Sequence, residues 1–119
     1  MRLRMSLSGT PATGSDYTFR GAEYTSSVVL NSGSNLTYFT LGYHSNNAPA
    51  NFGCVLDLVA LSQETRTNLH SSVMGFDNIQ QRATTSHGVH NAATAYNEVV
   101  LLSDTGTFTG EASIFGYAK

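Results

Sequence analysis

This chain is poor in charge. Asp, Glu, Lys and Arg make up 12% of its 119 residues, against roughly 25% in an average globular protein. A net charge of -2 argues against nucleic acid as a partner, because phosphate contacts need clustered Lys and Arg. Arg2 and Arg4 are the one close basic pair, and a strand accounts for them. Cys54 stands alone, so no disulfide can close within the chain. Set in the apolar run 54–61, it reads as a buried, inert thiol. The opening Met1-Arg2-Leu3-Arg4-Met5 lacks the apolar core of a signal peptide, and no run approaches the ~20 apolar residues of a membrane-spanning helix. Gly-x-Ser-x-Gly, a phosphate-cradling glycine loop, His-Glu-x-x-His and Cys-x-x-Cys are all missing, so no motif points to an enzyme or to a cofactor.

What the chain has instead is neutral polarity. Ser, Thr and Asn together make up roughly a third of it, a bias that suits an all-β surface better than a cytosolic enzyme. Short strand-like runs alternate with turn clusters. In 2–8, Leu3, Met5 and Leu7 alternate with Arg2, Arg4 and Ser6, a period of two. The cluster 9–16 is a loop. Residues 17–23 alternate again, with Tyr17 and Phe19 on one face. A short run at 28–30 is ended by the polar stretch 31–35, and 36–43 carries Thr and aromatic residues that suit a pleated surface. The stretch 44–51, with Pro49, is a loop. Residues 54–61 are the most apolar and predict a central strand. Runs at 69–76, 84–90, 96–102 and 111–117 complete the set, and 78–82 can form one helical turn with Asp77 as its cap. About eight short strands in one domain spanning 1–119 predict an antiparallel β-sandwich, jelly-roll-like in its wrapping.

The C-terminal stretch carries a resemblance. Gly106 follows a polar turn, Gly110 opens a short run, and Ile114 leads to Phe115-Gly116-Tyr117. This ending resembles that of small jelly-roll domains in bacteriophage tail-fibre and other virion-surface proteins. The strand-and-loop at 3–9 and 15–17, the run Val55-Leu56-Asp57-Leu58, and 94–99 before the terminal motif resemble the same family. The resemblance implies a non-enzymatic virion structural protein, made in the host cytoplasm, released by lysis and displayed on the particle surface. It implies contact with host-surface polysaccharide when the domain tips a tail fibre, or stabilisation of the head when it is a capsid decoration protein. A free-standing lectin-like module is the cellular alternative. In the family, further β-structure usually precedes the first strand. Here that strand starts beside Met1, and an open edge is an aggregation hazard, so the expected partners are further copies, most simply a trimer, and other virion proteins.

Candidate contact residues follow from chemistry. Tyr43, His44, Asn46 and Asn47 combine an aromatic ring with hydrogen-bonding groups in a loop, the mixture that recognises sugars, and loops carry function on rigid scaffolds. Arg2, Arg4 and Asp57 are interface candidates. Asp57 interrupts an apolar run, so it either points outward, opposite Leu56 and Leu58, or finds an Arg across a subunit boundary. His87 and His90 are the one close histidine pair, but an offset of three on a strand sends them to opposite faces, so no metal site is expected.

Overall fold

A computed structural model describes residues 1–42, 51–76, 81–103 and 109–116. Among these residues there are nine strands and no helix: β1 (Arg2–Leu7), β2 (Thr10–Pro11), β3 (Tyr17–Tyr24), β4 (Val28–Leu36), β5 (Phe39–Thr40), β6 (Asn51–Val59), β7 (Thr67–Phe76), β8 (Gln81–His90) and β9 (Glu98–Leu102). They form two antiparallel sheets. In the four-stranded sheet, β1 pairs with β9 on one side and with the short β2 and β5 on the other. The five-stranded sheet has the order β4-β3-β8-β7-β6. The pairs β1 with β9 and β3 with β8 nest one inside the other, giving the jelly-roll-like β-sandwich that the strand pattern predicts.

The period of two builds the core. Leu3 and Met5 of β1 and Tyr17 and Phe19 of β3 are buried against Leu69 and Val73 of β7, and Met1, Phe39, Leu41 and Tyr96 join them from outside the long strands. Tyr17 ties the two sheets together. Its ring meets Phe39 edge-on at 4.9 Å and His90 at 4.3 Å. Its hydroxyl donates to the Ala12 carbonyl at 3.0 Å and accepts from the Met5 N–H at 3.1 Å. Burial pushes the phenol up to about 12, with the Met5 hydrogen bond opposing the shift. The turn between β1 and β2 has Ser8 at φ 50 and Gly9 at φ 80, the positive pair that a two-residue hairpin loop requires. It is anchored from β9, since Glu98 Oε2 accepts from the Gly9 N–H and the Ser6 hydroxyl, each at 2.8 Å.

Several elements differ from the sequence expectation. Most of the apolar run at 54–61 belongs to β6, which among the described residues pairs with β7 alone and lies at the edge of the five-stranded sheet. Its apolar residues are split between faces: Phe52, Cys54, Leu56 and Leu58 turn inward, while Val55 and Val59 face out. The strands with neighbours on both sides include the polar β8, whose buried face is Thr84, Ser86, Gly88 and His90. Small residues are needed there because the Phe39 ring lies directly over Gly88, where an added Cβ would stand 2.5 Å from two ring carbons. β4 runs through the polar stretch 31–35 that was expected to end it, since an edge strand tolerates polar side chains. Beyond Leu36, the last residue of β4, only Phe39 and Thr40 form strand up to 42, and β9 begins at Glu98 because Tyr96 turns into the core.

Two further corrections bear on function. β1 has neighbours on both sides, so the open edge expected beside Met1 is absent, and with it that reason for a trimer. Residues 109–116 form no strand and lie exposed, with Ile114 at 91% and Phe115 at 85% exposure. Gly106, Tyr117 and Asn78 fall outside the described residues, while Gln81 and Arg82, expected in a helical turn, belong to β8.

Gly88→Ala should destabilise the fold by about 1–3 kcal/mol through overpacking. Gly110→Val should stay within about 0.5 kcal/mol of the parent, because a Cβ added there would meet nothing within 4 Å among the described residues. Urea titration of both variants checks the pair, and equal midpoints would refute the close approach at Gly88. Tyr17→Phe keeps the ring and removes the hydroxyl to which the Met5 N–H donates, so it should cost about 1–3 kcal/mol; a loss under about 0.5 kcal/mol in the same titration would mean that the hydroxyl bond contributes nothing net.

Candidate functional site

The five-stranded sheet turns one face into the core and the other to solvent. Strand alternation decides which side chains reach the outer face, and the register aligns them in rows across the strands. One row runs Asp57 (β6), His70 (β7), His87 (β8), Arg20 (β3) and Ser32 (β4). All five are exposed. Asp57 Oδ2 lies 3.6 Å from His70 Nδ1, and the His70 and His87 rings stack with centroids 4.6 Å apart and planes at 18°. Arg20 makes no ion pair among the described residues. The row borders a shallow groove of about 420 Å³, open to solvent, with Thr18, Val59, Asn68 and Val89 completing its walls.

On the other side of the row the same face is apolar. Tyr24, Val28, Leu30, Val55 and Met74 are all exposed there, Leu30 at 82% and Val55 at 66%. Isolated exposed apolar residues need no explanation, but a contiguous group beside polar residues marks an interaction surface. Chemically, the row offers a carboxylate at one end, a guanidinium toward the other and two imidazoles between them. That arrangement suits directional polar recognition at the rim of an apolar contact. Among the described residues, no three His, Cys, Asp or Glu side chains converge as metal ligands.

The sequence candidates fall in different places. Asp57 points outward on the face opposite Leu56 and Leu58, so it joins the row. Arg2 and Arg4 are engaged within the chain: the Arg2 guanidinium lies 4.0 Å over the Tyr38 ring, and Arg4 Nε donates to the Thr37 carbonyl at 2.8 Å. Both fasten the 37–38 segment to β1. Asp57 and Glu98 belong to different sheets and form no carboxylate pair. Tyr43, His44, Asn46 and Asn47 lie outside the described residues. His87 and His90 do part to opposite faces, His87 exposed and His90 fully buried. The partner of His87 is His70, which its position in the sequence does not reveal. Only the β7–β8 register brings the two together, and a slip of one residue would send His87 into the core.

His90 and Cys54 lie on the inner side. His90 sits between Tyr17 and Tyr96, whose ring centroid is 5.1 Å away, and neither ring nitrogen has a well-formed hydrogen bond. Burial pulls its pKa below the ordinary histidine value, against weaker opposing effects of Asp16 and the Ala92 backbone. Burial likewise pushes the Cys54 thiol up, which keeps it protonated and unreactive. No family model, curated protein or solved structure matches this chain.

The buried imidazole predicts a pH dependence. The unfolded chain binds more protons than the folded one between the depressed folded value and the ordinary histidine value. The contribution of His90 is therefore fully present above the ordinary value and is lost as pH falls toward the folded one. His90→Phe, which keeps an aromatic ring between Tyr17 and Tyr96, should lose less stability than the parent between about pH 7 and about pH 5. Thermal melts at both pH values measure it, and identical losses would place the titration elsewhere.

Proposed function

We propose that this chain is a non-enzymatic structural domain of a bacteriophage virion surface, acting by contact rather than by chemistry. The observation that carries this reading is the outer face of the five-stranded sheet, where exposed apolar residues including Leu30, Val55 and Met74 adjoin the ordered polar row from Asp57 to Arg20. A rigid sheet that holds apolar side chains in water is an unfavourable surface until something covers it. The phage setting is supported by the resemblance of 3–9, 55–58 and 94–99 to virion jelly-roll domains. Within that setting, the apolar area favours contact with protein, as in a head decoration or a self-associating fibre subunit. A second reading, host-surface polysaccharide bound in the groove, draws on Arg20, Asp57 and Asn68 as partners for sugar hydroxyls.

Immunogold labelling of purified particles with an antibody to this chain tests the proposal. Label over the head is the result expected of a decoration protein, and label at tail or fibre ends that of an appendage subunit. Particles that carry no label would overturn the virion reading.

A further inference from the structure

We infer that the outer face of the five-stranded sheet pairs with the same face of a second copy, about a two-fold axis running along the strands between β7 and β8. This rests on that face being an assembly surface, and it names the partner and the geometry. The charged row carries the argument. Adjacent strands are ~4.8 Å apart, so Asp57 and Arg20, three strands apart, are separated by about 14 Å and cannot pair within one chain. A two-fold axis along the strands reverses the order of each row on the facing copy. Reversal about the β7–β8 line sets Asp57 opposite the second copy's Arg20, and does so twice by symmetry. His70 then meets His87 near the axis.

The neighbouring rows fit under the same operation. The row Gly53, Met74, Ala83 and Tyr24 sets Tyr24 over Gly53 and Met74 over Ala83, large on small each time. The row Val55, Ser72, Thr85 and Ala22 sets Val55 over Ala22 and Ser72 over Thr85. Other placements lose the match. An axis across the strands would put Asp57 on Asp57 and Arg20 on Arg20, and an axis along β7 would leave Arg20 beyond the facing charges. Aligned sheets pack at about 30°, which shifts the ends of the row by ~3.5 Å, about one residue and within the reach of an arginine. A surface that reads the same when reversed is what an isologous two-fold contact requires, so the charge pattern favours two copies over three. Four strands and seven residues span roughly 450 Å² in projection, a modest interface once side-chain relief is counted.

The test exploits the reciprocity. Sedimentation equilibrium of the purified chain should give a concentration-dependent dimer. Arg20→Asp alone sets carboxylates against carboxylates, and Asp57→Arg alone sets guanidinium groups against each other. Each should weaken self-association about tenfold or more. Both residues are exposed, so circular dichroism should be unchanged. Mixing the two single variants should restore the dimer as a heterodimer, because every contact in it is again of opposite sign. The double variant should restore it within one chain type. A parent that stays monomeric, a dimer indifferent to both substitutions, or single variants that do not pair on mixing would each overturn the inference. None of those outcomes touches the virion reading, which the particle labelling decides.

Discussion

Everything else in this sandwich depends on Tyr17 being held between its two sheets. The residue belongs to β3, yet its hydroxyl is spent on Met5 of β1 and on Ala12 beside β2, while its ring packs on Phe39 and His90. One side chain thus provides a hydrogen bond across the layers and the centre of an aromatic file. The N–H of Met5 donates to that hydroxyl, and a buried donor left without a partner is expensive. The spacing of the sheets is therefore set where the Tyr17 hydroxyl reaches. Phe39 then lies against Gly88, and the central strand of the larger sheet must be small and polar on its inner side.

That constraint explains where the apolar residues of the chain end up. A sheet whose inner face is Ser71, Thr84, Ser86 and Gly88 near its middle contributes little apolar area there, and Thr67 and Ser71 bring buried hydroxyls that find no partner. Apolar side chains that a simpler core would have absorbed sit instead on the outer face, at Val55, Val59, Met74 and along β4. The polar row lies among them because the register of four strands brings Asp57, His70, His87 and Arg20 level. Packing on the inside and recognition on the outside are two consequences of one arrangement of strands.

Much of the fold was legible beforehand. Alternation in 2–8 and 17–23 marked β1 and β3, while the cluster 9–16, read as a loop, also holds the short strand β2. Two physical facts misled. An apolar run such as 54–61 looks alike whether both faces are buried or one is left in solvent, since periodicity alone cannot separate the cases. Conversely, nothing within 84–90 marks it as part of the central strand of the larger sheet, because the reason for its small residues, the Phe39 ring, comes from a distant segment. The C-terminal run 111–117 has strand composition, but among the described residues 111–116 form no strand. The site was less legible than the fold. The outward direction of Asp57 was one of its two open readings, and His87 could be seen to part from His90, because both statements need only the period of a strand.

By itself the sequence determined the class of structure, the alternation of inner and outer residues along β1 and β3, and the parting of His87 from His90 to opposite faces. These follow from local sterics, which a short stretch of chain carries within itself. The tertiary structure alone decided that β6 is an edge, that His70 stacks on His87, and that a carboxylate and a guanidinium from strands 37 positions apart in the chain lie in one row. Those relations depend on strand order and register, which are chosen by long-range packing around Tyr17 and are written in no single segment.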